Sequence, residues 1–82
     1  MSENKTVVKL KYPFKANGLE IKELNVRRPK VLDLELIDNV DGEIKKSITL
    51  LANLSDSSPD DIRGMDAGDF QQAAELVADF LG

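Results

Sequence analysis

The side chains in this 82-residue chain best suited to chemistry are carboxylates, and Asp56, Asp60, Asp61, Asp66 and Asp69 crowd into one short stretch. Hard cations such as calcium take oxygen ligands, so the cluster suggests a metal loop. The spacing argues against one. With Gly42 placed at the sixth position of a calcium loop, the first position is Ile37 and the last is Ile48, and neither can ligate. The same acids suit helix N-termini, where carboxylates meet free N–H groups and the positive end of the helix dipole. Ser58, Pro59 and Asp61 have the spacing of a capping box with proline in the first turn, and Asp66 and Asp69 repeat the spacing ahead of the last apolar run. The chain has no histidine and no cysteine. This removes the commonest general base, the commonest zinc ligand and any thiolate or disulfide chemistry. Phosphate-cradling and dinucleotide glycine patterns are also absent. No catalytic, cofactor-binding or metal-ligating residues are expected, and the chain reads as non-enzymatic.

Charge is the second chemical signal. Residues 1–30 hold eight Lys or Arg against three acids, and residues 31–82 hold three against twelve. A basic N-terminal segment can grip phosphates. Here the lysines alternate along one side of a strand without an aromatic between them to stack a base, a pattern that also protects a sheet edge from unwanted pairing. The acidic remainder would repel a nucleic acid, so nucleic acid is not an expected partner. A basic end and an acidic body could instead steer subunits head to tail.

The elements that carry these residues follow from periodicity. Val8, Leu10, Tyr12 and Phe14 alternate with lysines, Asn17-Gly18 supplies a two-residue turn, and Leu19 and Ile21 begin a return strand, so the spacing predicts a β-hairpin over 7–26. The apolar parity then changes at Leu24 and Val26. A bulge near Lys22-Glu23 would set Tyr12 opposite Leu24 and Leu10 opposite Val26. A hairpin ending at Ile21 would account for the change equally. Pro29 closes the strand region, and helices are predicted at 31–40, 43–54 and 67–81, with a short helical turn from Ser58 to Met65. In the first helix Leu32, Leu36, Ile37 and Val40 should face inward, widened by Val31 and Leu34, with Asp33, Glu35 and Asp38 outside. In the second, Ile44, Ile48, Leu51 and Leu54 should be inward. The last helix carries a broad apolar sector that includes Phe70, Leu76, Val77, Phe80 and Leu81, wider than one contact on a small body needs. These five are the candidate protein-binding residues, with Leu76 and Phe80 toward one edge of the sector.

An 82-residue chain with 41% hydrophobic residues and net charge −4 has room for one core. The fold class is therefore α+β: one domain over 1–82 with a frayed tail at 1–5, an N-terminal hairpin, and about three helices with an extra turn over 31–81. No run is long enough to span a membrane and no secretory segment is seen, so a soluble, intracellular protein with no membrane partner is expected.

The order of signals is more specific than any one of them. The hairpin with Asn17-Gly18, Ile21, Leu24 and Arg27-Arg28-Pro29 is followed by Asp33-Leu34, then Leu50-Leu51-Ala52 and Leu54. After these come Ser58-Pro59, Asp61, Ile62, Met65, Asp66, Asp69 and Phe70, and a closing Ala74-Glu75-Leu76-Val77 with Phe80-Leu81. From Leu10 to Gly82 this resembles the small tail assembly chaperones of Mu-like and related contractile-tailed bacteriophages. Lys30 departs from the hydroxyl cap expected for the first helix, and Gly64 and Gly68 stand in helical segments. The resemblance implies a non-enzymatic chaperone without a cofactor. It would act in the cytoplasm of the bacterial host, bind the tape measure protein, promote tail tube polymerisation around it and be absent from the mature virion. It also implies a frameshifted longer form that recruits the tail tube protein, and Asp79-Phe80-Leu81 permits a slippery codon run. Homo-oligomers fit the same role. The competing reading is a small virion structural component or an adaptor that uses its β-hairpin edge.

Overall fold

Alternation and turn chemistry build the first element. In the computed structural model, which describes residues 5–81, β1 (Lys5–Ala16) and β2 (Leu19–Arg27) form a two-stranded antiparallel sheet. Asn17 and Gly18 have φ of 55° and 79°. Both lie in the left-handed region that matches a two-residue turn to the strand twist. Of the tail expected at 1–5, Lys5 belongs to β1 and the rest lies outside the described residues.

The ladder is irregular on the opposite strand from the one predicted. Next to the turn Phe14 pairs with Ile21, Lys15 with Glu20 and Ala16 with Leu19. Beyond the irregularity Lys9 pairs with Glu23, Val8 with Leu24 and Thr6 with Val26. Residues 10–13 of β1 therefore stand against Lys22 alone, and Tyr12 is 61% exposed instead of facing Leu24. Pro13 has no N–H to give a ladder, so the surplus length collects beside it in β1. The parity change from Ile21 to Leu24 is absorbed there.

After Pro29 come α1 (Val31–Leu36), α2 (Glu43–Ser55), α3 (Pro59–Arg63) and α4 (Ala67–Leu81). The hairpin followed by helices is the expected α+β class, and α2 and α4 keep their predicted spans to within one residue. α1 is shorter than predicted. Beyond Leu36 the chain tightens into three-residue turns, with the N–H groups of Ile37, Asp38 and Val40 donating to the carbonyls of Leu34, Glu35 and Ile37. Gly42, with φ of 96°, then starts α2.

The core lies between one face of the hairpin and the longer helices. Val8, Phe14, Leu24 and Val26 meet Leu50, Leu51 and Leu54 of α2, Ile62 and Met65 around α3, and Ala73 and Val77 of α4. The shortest dimension, 21 Å, is that of two packed layers. Two inward assignments fail. Ile44 is 65% exposed because the part of α2 that packs begins a turn later, at Ile48. In α1 Val31, Leu32, Leu34 and Leu36 are exposed, and Asp33 is the buried residue.

Candidate partner-binding surface

The buried carboxylates explain how the surface is laid out. Arg27 at the end of β2 donates from Nη2 to Asp33 Oδ1 at 2.8 Å and from Nη1 to Asp33 Oδ2 at 2.9 Å. The Lys30 N–H donates to Asp33 Oδ2 at 2.7 Å. Lysine carries no acceptor, so this cap is one-sided, in place of the hydroxyl cap missing from the sequence. A bidentate guanidinium–carboxylate pair is strong and directional. It draws the Asp33 side of α1 inward across Pro29. The Arg27 hydrogen bond is the main reason the Asp33 carboxyl titrates below its ordinary value; burial opposes the shift, and the Lys30 N–H adds to it. At about 100° per residue, Val31 and Glu35 lie about 160° from Asp33 and Leu32 and Leu34 about 100° from it, whereas Leu36, at the end of the helix, lies about 60° from it. The ion pair on one side therefore leaves Val31, Leu32 and Leu34 in water.

The second buried carboxylate, Asp69, accepts the N–H of Lys11 on Oδ1 at 3.1 Å and that of Tyr12 on Oδ2 at 2.9 Å. These are the amides the irregular stretch of β1 leaves without ladder partners. Asp66 caps α4 as expected, accepting from Gly68 and Asp69 at 2.9 and 3.2 Å. Asp69 does not complete the reciprocal box. It ties the last helix to the first strand. Asp61 does complete its box with Ser58, at 3.1 and 3.2 Å, and Asp60 pairs with Arg63. Among the described residues, no group of three or more His, Cys, Asp or Glu is placed to hold a metal ion.

The candidate residues on α4 do not share one environment. Val77 is buried in the core, Phe70, Leu76 and Phe80 are half-buried against it, and Leu81 is 53% exposed. Arg28 lies over the Phe80 ring, 5.2 Å from its centroid, and donates to the Phe80 carbonyl at 3.3 Å. The α4 sector is thus largely occupied by the fold, with an accessible rim at Leu76, Phe80 and Leu81. The widest apolar exposure is on α1, which sequence reading placed inside. Its signal was the density of apolar residues: four in six positions leave no polar face for a short helix to turn outward.

The cleft between α2 and α4, lined by Ser47, Leu50, Leu51, Ala74 and Val77, holds about 30 Å³, and an open depression lined by Lys5, Arg27, Asn53, Leu54 and Asp56 holds about 230 Å³. The surface of this domain is otherwise made of open apolar and charged faces around a small core. The chain belongs to the phage tail assembly chaperone family: the family model described as phage tail assembly chaperone proteins, E, or 41 or 14, matches residues 7–82. No curated protein and no solved structure matches the chain. Its role is accordingly in phage tail assembly, and chaperones of this kind are generally non-enzymatic. Among the described residues no helix is long and apolar enough to cross a membrane.

Proposed function

We propose that this chain binds the tape measure protein and promotes polymerisation of the tail tube around it. The observation that carries this reading is the family match over 7–82, nearly the whole domain. A long helical client is held best by many small contacts, which small subunits with accessible apolar rims supply. On this reading the rim of α4 at Leu76, Phe80 and Leu81, continued by Phe70 and backed by Val77, meets the client. The short form coats the tape measure protein, and a frameshifted longer form recruits tube protein. Both act in the host cytoplasm and leave before the virion is complete.

The test is co-expression of the tape measure protein with the wild-type chain or with the Leu76→Ser/Phe80→Ser variant, followed by co-purification and measurement of soluble client. Wild type should keep the client soluble and co-purify, and the variant should do neither while retaining its helical circular dichroism. Failure of wild type to bind would overturn the reading, and loss of the variant's fold would assign both residues to the core. Both strands of a two-stranded sheet are edges, which favours the adaptor or virion-component alternative. That alternative requires a fixed copy number in purified virions.

A further inference from the structure

The surface formed by α1 and the turns that lead into α2 is apolar and acidic at once. Val31, Leu32, Leu34, Leu36 and Ile44 are exposed there. Residues 31–44 contain five acids and no Lys or Arg, and Lys30 and Lys45 stand just outside the two ends. Arg27 takes Asp33, so Glu35, Asp38, Asp41 and Glu43 are the exposed acids. The short connection 37–42 and the contacts between α1 and α2 hold the segment together. The bidentate Arg27 pair and the Lys30 N–H anchor α1 to the end of the hairpin, so its apolar side chains are presented by a fixed helix.

We propose that this surface docks an amphipathic helix of a partner protein, one whose apolar face is bordered by Lys or Arg. Exposed apolar patches rimmed by polar residues mark protein interaction sites. The form of the partner follows from α1. A helix pairs its amides within itself and offers a strand no free edge, so recognition here runs through side chains. A facing helix supplies them as apolar anchors at i, i+3, i+4 and i+7 along one side. The charge of the partner follows from the four exposed acids, which attract cations flanking such a helix and repel an acidic one. They equally repel the phosphates of a nucleic acid or of an anionic lipid surface. The hairpin of a second copy fits less well, because it sets Lys15 opposite Glu20 and Lys9 opposite Glu23, all four exposed. The surface belongs to α1 and the start of α2, so the proposal stands without the assignment of the client to the α4 rim.

The probe is a synthetic helical peptide of about 18 residues with leucines along one face and lysines flanking them. It is titrated into the isotope-labelled chain and followed by amide chemical shifts. Saturable shifts should concentrate at residues 31–44. A scrambled peptide of the same composition, and a version with Glu for every Lys, should each bind roughly tenfold more weakly or worse. Leu32→Gln/Leu36→Gln should weaken binding roughly tenfold by removing two anchors, and Glu35→Lys/Asp38→Lys roughly tenfold by reversing charge. High salt should weaken it as well, because exposed charges are screened. The absence of saturable shifts overturns the proposal, as do equal binding of the scrambled peptide, shifts centred on α4 or the hairpin, and folded variants that bind like wild type. Shifts at 31–44 that follow protein concentration without peptide would assign the surface to a second copy and overturn it too. If circular dichroism shows that a double variant is unfolded, Leu32→Gln and Glu35→Lys alone replace it. Each should then weaken binding roughly threefold, and unchanged binding in both overturns the proposal.

Discussion

Replacing Asp69 tests whether one side chain holds the hairpin to the helices. Its two oxygens each take one backbone N–H, from Lys11 and Tyr12, and the residue is 3% exposed. Hydrogen bonds to a charged group contribute about 1.5–3 kcal/mol each, and amides left without an acceptor keep a desolvation cost. Asp69→Ala should therefore destabilise the fold by about 2–4 kcal/mol, after allowing for water reaching amides that are only partly buried. An 82-residue domain has a total stability of roughly 4–12 kcal/mol. At about 4–8 °C per kcal/mol for a domain of this size, Tm should fall by roughly 10–25 °C. Asp69→Asn should recover less than half of the loss, because the two amides reach different oxygens and the NH2 group would face one of these donors. The assay is thermal and urea unfolding by circular dichroism, with hydrogen exchange at the Lys11 and Tyr12 amides as the local readout. A loss below about 0.5 kcal/mol, with exchange at both amides unchanged, would refute the view that Asp69 holds this junction.

Asp33 predicts a pH dependence. Its folded pKa lies below the unfolded value of about 3.9, so its stabilising contribution is complete above that value and is lost as pH falls through the lower folded one. Asp33→Asn should remove that part of the acid decline in urea midpoints, leaving a flatter profile below about pH 4. Core and surface leucines should separate sharply. Leu51→Ala, at 1% exposed, should cost about 2–5 kcal/mol, whereas Leu32→Gln on α1 should shift stability by no more than about 0.5 kcal/mol. Chemical denaturation of both variants checks the pair. Gly18→Ala should cost about 1–2 kcal/mol at its left-handed turn position, and Gly68→Ala should weaken the Asp66 cap, because a Cβ there would sit 3.1 Å from the Asp66 carboxylate. Thermal melts check both.

Short-range patterns were enough for the hairpin turn and for α2, α3 and α4. Asn17-Gly18 between alternating runs determines a hairpin because few residues tolerate two successive positive φ angles. Ser58-Pro59 with Asp61 determines a helix start because the box closes within one turn. The apolar repeats of α2 and α4 set their spans in the same way, and the order of these signals sufficed to suggest the family. Tertiary structure decided which polar groups are inside. Asp33 looked like a solvent-facing acid and became the buried residue of α1, because Arg27 meets it across Pro29. The bulge stands beside Pro13 in β1, where Asp69, 57 residues beyond Tyr12, accepts the Lys11 and Tyr12 amides. Periodicity measures the average preference of side chains for water. A paired carboxylate reverses that preference through a partner distant in sequence or beyond a chain reversal, so the exposed apolar face of α1 emerged only when the chain was folded.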